Sequence, residues 1–424
     1  MERKKILISP LNWGFGHAGR MLALAQALKG RGQEVILGAD RNLIPLLQNE
    51  MPGTEVVSIP GVRIRYSRFL PQYLCIFLQL PHIIFASVRE HAILRKIAAS
   101  LEPDIIISDS RFGLFHREIV SVYITHQLRI VFPPFLRFLE RPGAWLHRGI
   151  IRRFDLCLIP DYPGPVNLSG RLSHDVRLPD NVCYMGPLSR FLGTGPVTDN
   201  ILRADPATDD TRRVDPADDD TVKSDPATDD ILRVDAAIDE TLRVDPAIDD
   251  ILRVNPVTDK TPKMDPPYCC LILSGPEPQR SLLLKKVAAA VKNMPLAVLT
   301  VTPLPPGLTI APGVTVFTGP DTSTMMTLIS GSEVVITRAG YTSVMELASL
   351  GRGAVLIPTP GQTEQEYLGR YLNGHYGFVT VSQRAVERAG IPFPEAVSDS
   401  SKILPYCSPL LEEALALLLQ QEKK

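Results

Sequence analysis

The sequence predicts an α/β protein of two doubly wound, Rossmann-like domains that face a central cleft, with a low-complexity insertion between them. Three observations carry this. In both halves, short and continuously apolar runs alternate with helical stretches, the pattern of a parallel sheet covered on both faces. The alternation stops near residue 193 and restarts at 268. Between those points lies a ten-residue repeat unlike either half.

In the first half (1–192), Lys5–Pro10, Glu34–Gly38, Glu55–Ile59, Asp104–Ser108, Ser121–Thr125 and Asp155–Ile159 read as buried strands. Met21–Gly30, Asn42–Asn49 and Pro81–Leu101 read as helices. The apolar stretch Phe69–Val88 is broken by Pro71, Gln72, Gln79, Pro81 and His82. A span needs about 18 or more uninterrupted apolar residues, so none is expected. Two readings of the stretch stay open: helix core, or a greasy surface facing an acceptor or a membrane.

The insertion (193–267) carries Asp205-Pro206, Asp215-Pro216, Asp225-Pro226, Asp245-Pro246, Asn255-Pro256 and Asp265-Pro266, a period of ten. Asp as N-cap and Pro at the first position can start a helical turn. The next Pro stops it, and helices so short are marginal in water. The segment is expected to be mostly disordered. Residues 196–267 hold 19 acidic and 9 basic residues, a charge of −10, against 27 acidic and 36 basic elsewhere, +9. The repeat lacks the glycine-containing ligand spacing of a calcium loop, and no metal site is expected.

In the second half (268–409), Cys269–Leu273, Leu296–Val301, Val314–Phe317, Glu333–Thr337, Ala354–Ile357 and Phe378–Val381 read as strands. Ser281–Asn293, Thr322–Ser330, Ser343–Leu350 and Glu364–Asn373 read as helices, and 410–424 as a terminal helix. Such domains bind ligands at the carboxyl ends of their strands. An insertion at the joint disturbs neither core.

Length and composition agree. The 424 residues suggest roughly two or three domains. Hydrophobic residues at 45% and charged residues at 21% are ordinary for a soluble globular chain. A net charge of −1 argues against nucleic-acid binding by bulk attraction. The six cysteines show no CxxC spacing and read as reduced, buried thiols. MERKKILISP has no long apolar core or cleavage site, so no signal peptide is read. A cytoplasmic protein is expected, with peripheral contact to the inner face of the cytoplasmic membrane as a further expectation.

The chemistry lies at strand ends. Gly14, Gly16 and Gly19 fit GxGxxG after the first strand, and Asp40 follows the second. This is formally a dinucleotide fingerprint, so an NAD-linked oxidoreductase stays open on these residues alone. His17 sits inside the loop and titrates near neutrality, which suits a general base. Asp109 ends a strand and can orient that imidazole. In the second half, Ser274 and Gly275 end the first strand. Arg338, Gly340, Thr342 and Ser343 lead into a helix, where backbone N–H groups suit a diphosphate. Glu346, one turn in, can accept from a ribose diol. Glu364 and Gln365 suit sugar hydroxyls.

These motifs resemble the GT-B glycosyltransferases, in particular the MurG-like family 28 C-terminal domain. The resemblance covers about 350 residues of both halves, and the repeat has no counterpart. Gly340, Thr342 and Ser343 would by this likeness hold the diphosphate and Glu346 the ribose. Glu364 and Gln365 would contact the donor sugar, and Ser274 and Gly275 would line the phosphate side. His17 would be the catalytic base with Asp109 as partner, and Gly14, Gly16, Gly19 and His126 would belong to the acceptor-side loops. PLNWGFGHAGR, THQL (125–128), NLSGRLSH (167–174) and GPLSRF (186–191) further resemble a group of bacterial MurG relatives. The first loop departs from the GGTGGH of MurG, and Pro276 and Pro278 replace an expected Gly- and Ser-rich run.

The resemblance implies an inverting, metal-independent transfer of a hexosyl or N-acetylhexosaminyl group from a UDP-sugar, a substrate and not a cofactor, to a sugar or lipid-linked hydroxyl acceptor of the cell envelope. An epimerase of UDP-N-acetylglucosamine type and a non-catalytic binding protein are the alternatives. No nucleic-acid partner is expected.

Overall fold

In the computed structural model, the described residues are 2–11, 15–41, 43–62, 72–176, 178–191, 268–291, 294–392 and 408–423. Gly14 and the repeat, with the disorder expected of it, lie outside them.

The first half forms seven parallel strands: β1 (Lys5–Ser9), β2 (Glu34–Ala39), β3 (Glu55–Ser58), β4 (Ile105–Asp109), β5 (Val120–Ile124), β6 (Leu156–Ile159) and β7 (Val182–Tyr184). Their order is β3-β2-β1-β4-β5-β6-β7. The second half forms β8 (Cys269–Ile272), β9 (Leu296–Thr300), β10 (Val314–Thr318), β11 (Val334–Thr337), β12 (Ala354–Leu356) and β13 (Phe378–Thr380), in the order β10-β9-β8-β11-β12-β13. Both sheets therefore reverse direction beside their first strand, at β1/β4 and β8/β11. A ligand crevice opens at such a switch point. The central strands are buried throughout because helices cover both faces: β4, β5, β6 and β8 are buried at every residue. Register aligns Ile6 with Ile105 and Ile8 with Ile107, which brings the carboxyl ends of β1 and β4 side by side.

Successive strand residues point to opposite faces, so Cys269 and Cys270 enter two different core clusters. Burial pushes the Cys269 thiol up to about 11. The five described cysteines are free thiols; Cys407 lies outside.

Four helices matter for the site: α1 (Phe15–Gly30), α8 (Tyr341–Ser349), α9 (Thr363–Leu372) and α11 (Ser408–Gln420). α1 starts six residues before the predicted Met21, so His17 stands in a first helical turn and not in a loop. The terminal helix α11 returns to the first half. Lys4 Nζ donates to Leu419 O at 2.7 Å, and Lys423 pairs with Asp155 at 2.7 Å.

Two elements near the first half's surface were not predicted from sequence. α5 (Glu140–Ile151) contains Pro142 and Gly143, which read as breakers. Pro142 falls in the first turn, where a missing N–H costs nothing. A 3-10 turn, Pro134–Leu139, precedes it. The apolar stretch forms α3 (Gln72–Leu78) and α4 (Leu80–Leu101). Phe77, Ile84, Phe85 and Val88 are each more than half exposed. That decides for a greasy surface over helix core. No described helix is long and apolar enough to cross a membrane.

Candidate active site

α1 begins directly after the β1 loop, and residues three apart share a helix face. His17 and Arg20 therefore both face the end of β4, where Asp109 sits. His17 Nδ1 lies 2.8 Å from Asp109 Oδ2. Arg20 Nε donates to the same oxygen at 3.0 Å, and its Nη2 donates to Oδ1. Asp109 and Arg20 are fully buried, while the His17 side chain keeps 17% exposure. Burial opposes the charge on Asp109, but Arg20 and then His17 outweigh it and hold the carboxyl well below the usual range. Burial lowers His17 below the ordinary histidine value, Arg20 and His126 add to this, and Asp109 opposes it. The shift favours the neutral imidazole, the form a general base uses.

His126 follows β5 and reaches the second half. Its Nε2 lies 3.0 Å from Glu364 Oε1 at the start of α9. Its ring stacks parallel on Tyr341 with centroids 4.3 Å apart. The Tyr341 hydroxyl donates to Pro160 O at 2.7 Å. Burial opposes ionisation of Glu364, but the hydrogen bond and charge of His126 bring its carboxyl below the usual value.

α8 opens on Gly340, in extended conformation and without a side-chain cap. Its first N–H groups are orphan donors. Thr342 and Ser343 in that turn are partly exposed. On α9, the Gln362 side chain caps the helix by accepting from Gln365 N. Gln365 Oε1 accepts from Thr359 N at 2.9 Å, which leaves its amide NH2 to donate. Ser274 and Gly275 are exposed just beyond the end of β8.

Some expected roles do not survive. Arg338 is 1% exposed. Its guanidinium donates to Gln383 Oε1 at 2.7 Å and to the carbonyls of Gln279, Ile357 and Pro358. Buried and held by these acceptors, it staples strand ends and is not presented to a phosphate. Gly16 and Gly19 lie in α1 and admit neighbouring side chains, not a ligand. A Cβ at Gly16 would come within 2.8 Å of Thr342, and one at Gly19 within 2.6 Å of the Arg190 guanidinium. Gly16 thus serves packing against the second half, and Gly19 makes room for Arg190 of the first. Glu346 is 4% exposed, and Arg190 Nε donates to its Oε1 at 2.6 Å.

The four short motifs share one location. PLNWGFGHAGR brings Gly16 to Thr342, and THQL brings His126 to Glu364. NLSGRLSH brings Arg171 N to the Tyr367 hydroxyl at 2.6 Å, and GPLSRF brings Arg190 to Glu346. All four line the face where the halves meet, within one compact unit. Arg20, Arg190 and Tyr341 were missed from sequence. The first two stand inside quoted motifs, HAGR and SRF, and that was the available signal.

Residues 320–387 match the glycosyltransferase family 28 C-terminal domain. The matched segment holds Gly340, Thr342, Ser343, Glu346, Glu364 and Gln365. Similar solved structures include the spinosyn forosaminyltransferase SpnP, with 13% identity and a TM-score of 0.52 over 99% of this chain and 100% of that one. SnogD, a glycosyltransferase from Streptomyces nogalater, gives 15% and 0.51 with the same coverage. SsfS6, a Streptomyces sp. SF2575 glycosyltransferase complexed with thymidine diphosphate, gives 13% and 0.51, also over 99% and 100%. Identities this low establish the fold alone. No curated protein sequence matches the chain. The two doubly wound sheets and the family 28 segment on the second define a glycosyltransferase of GT-B fold.

Proposed function

We infer that the chain transfers a hexosyl or N-acetylhexosaminyl group from a UDP-sugar to a hydroxyl acceptor, with inversion and without a metal ion. The observation that carries this is the His17–Asp109 pair at 2.8 Å, set at the joint with the second half. With Nδ1–H directed at Asp109, Nε2 takes the acceptor proton as the acceptor oxygen attacks the anomeric carbon. The bond from that carbon to the diphosphate oxygen breaks on the opposite face. Charge develops on UDP and meets the orphan N–H groups of Gly340, Thr342 and Ser343 at the α8 N-terminus. Glu364 and the Gln365 amide hold sugar hydroxyls, and Glu346 accepts from the ribose once Arg190 yields. Ser274 and Gly275 border the phosphates.

The acceptor is lipid-linked and reached from the inner face of the cytoplasmic membrane, as in MurG-like cell-envelope enzymes. Supporting this, Phe135, Phe138, Trp145 and Leu146 are each 61–74% exposed on the 3-10 turn and α5. Beside them, Arg129, Arg137, Arg141, Arg148 and Arg171 line a hollow of about 750 Å³. Exposed aromatics flanked by arginine suit an anionic interface.

Thermal stabilisation by UDP, thymidine diphosphate, UDP-sugars and NAD tests the donor, since a ligand of the native state raises the melting temperature. Stabilisation by UDP-sugars is expected. Stabilisation by NAD alone, or transfer undiminished in His17→Ala, overturns the reading.

A further inference from the structure

Arg20 is fully buried and sits among groups that titrate: Asp109, His17, His126 and, beyond His126, Glu364. A guanidinium has five N–H donors, no acceptor and a permanent charge. A ring nitrogen that bonds to it must supply a lone pair. Arg20 Nη1 lies 3.3 Å from His126 Nδ1. The His126 proton then stands on Nε2, 3.0 Å from Glu364 Oε1. That N–H donates to the carboxylate, and parallel stacking of the ring on Tyr341 fixes its plane.

At His17 the demand is divided. Arg20 Nη2 at 2.7 Å asks Nδ1 to accept, and Asp109 Oδ2 at 2.8 Å asks the same nitrogen to donate. One nitrogen meets one demand at a time. With the proton on Nδ1, directed at Asp109, Nε2 is a free base. With Nδ1 accepting from Arg20, the proton stands on Nε2 and His17 cannot take another from an acceptor.

We propose that Arg20 is a positioning residue that sets where the proton lies on His126, holds the Asp109 carboxylate in place against His17 and, through His126, ties the base on the first half to the Glu364 carboxylate on the second. No proton leaves Arg20 itself. Its Nε and Nη2 grip both oxygens of Asp109, which fixes the carboxylate that arms His17. That His17 is the base rests on the function proposed above; the His126 tautomer does not.

Long-range proton–nitrogen spectra of the full chain, labelled at histidine, test this. His17→Gln and His126→Gln assign the signals. The wild type is expected to show the neutral His126 ring protonated on Nε2 at about pH 8 to 9, above the ordinary histidine range. Arg20→Lys keeps the charge but not the fork, so His126 becomes a tautomer mixture. Its kcat falls by about 10²-fold, the scale of a small misplacement, with a smaller change in donor KM. Arg20→Gln removes the cation, so His17 titrates at higher pH and the acid limb of kcat/KM moves up with it. A wild-type His126 protonated on Nδ1 overturns the proposal, and that spectrum needs no variant to fold. So does Arg20→Lys with the His126 tautomer unchanged, whether or not its activity falls. Transfer that survives His17→Ala, with the expected tautomers, removes the base assignment and leaves Arg20 in place.

Discussion

Arg190, at the end of the first half, donates Nε to Glu346 at 2.6 Å, on the helix expected to hold the donor ribose. Both side chains are under a tenth exposed. The contact closes the halves on each other through the group that a nucleoside needs. Two effects of removing Arg190 therefore oppose each other.

Arg190→Met leaves Glu346 buried and uncompensated, which costs about 3–5 kcal/mol. Urea unfolding measures that loss. The same change frees the carboxylate for a ribose diol, so UDP binding by calorimetry is expected to tighten. Affinity equal to or weaker than wild type removes Glu346 from the ribose site.

His17→Ala is expected to lower kcat by about 10²–10⁴-fold, the usual contribution of a general base, with UDP affinity unchanged. Asp109→Asn is expected to lower both kcat and stability. Arg20 stays cationic and buried, and the amide cannot balance it. A stable Asp109→Asn protein with full activity contradicts the shared network of Asp109, Arg20 and His17.

Acid weakens the fold in two stages. Burial lowers both His17 and His147. Below about pH 6.5 the unfolded chain takes up protons at these positions and the fold does not. The unfolded state then binds more protons, so stability falls as pH falls. Asp109 stays charged in the fold below its unfolded value of about 3.9, and its stabilisation is lost further down. Melting temperatures should drop from pH 7.5 to about 5.5. A flat or rising profile contradicts the direction of both histidine shifts.

The exposed aromatics should report membrane contact directly. The chain has two tryptophans, Trp13 and Trp145, so Trp13→Phe isolates the one on α5. Vesicles with anionic lipid are expected to blue-shift its emission, while neutral vesicles do so weakly. Phe135→Ser with Phe138→Ser should abolish co-sedimentation. No shift with either vesicle separates the surface from any lipid role.

The strands were legible because a parallel strand covered on both faces is apolar at every position, as Ile105–Ile107 are. His17 and Asp109 were legible as a pair because each follows a strand and those strands are neighbours. What escaped has physical causes. Gly16 and Gly19 signal a close approach, but sequence does not say whether a ligand or a side chain approaches. Arg20 looks like a solvent-facing helix residue until the three groups around it are placed. Arg338 looks like a phosphate contact, and only its burial among carbonyls shows otherwise. Pro142 and Gly143 concealed α5, since breakers in a first turn break nothing.

The return of α11 to the first half has a consequence for how the chain is made. Leu415 and Leu418, fully buried on α11, share a core cluster with Met21 and Leu24 of α1. A ribosome must therefore finish the second half before the first can close its core. Until then, part of that apolar surface stands open, with the second half being synthesised beside it. Truncation after about residue 407 should injure the half that was translated first, and the earliest symptom should be poor yield of soluble chain.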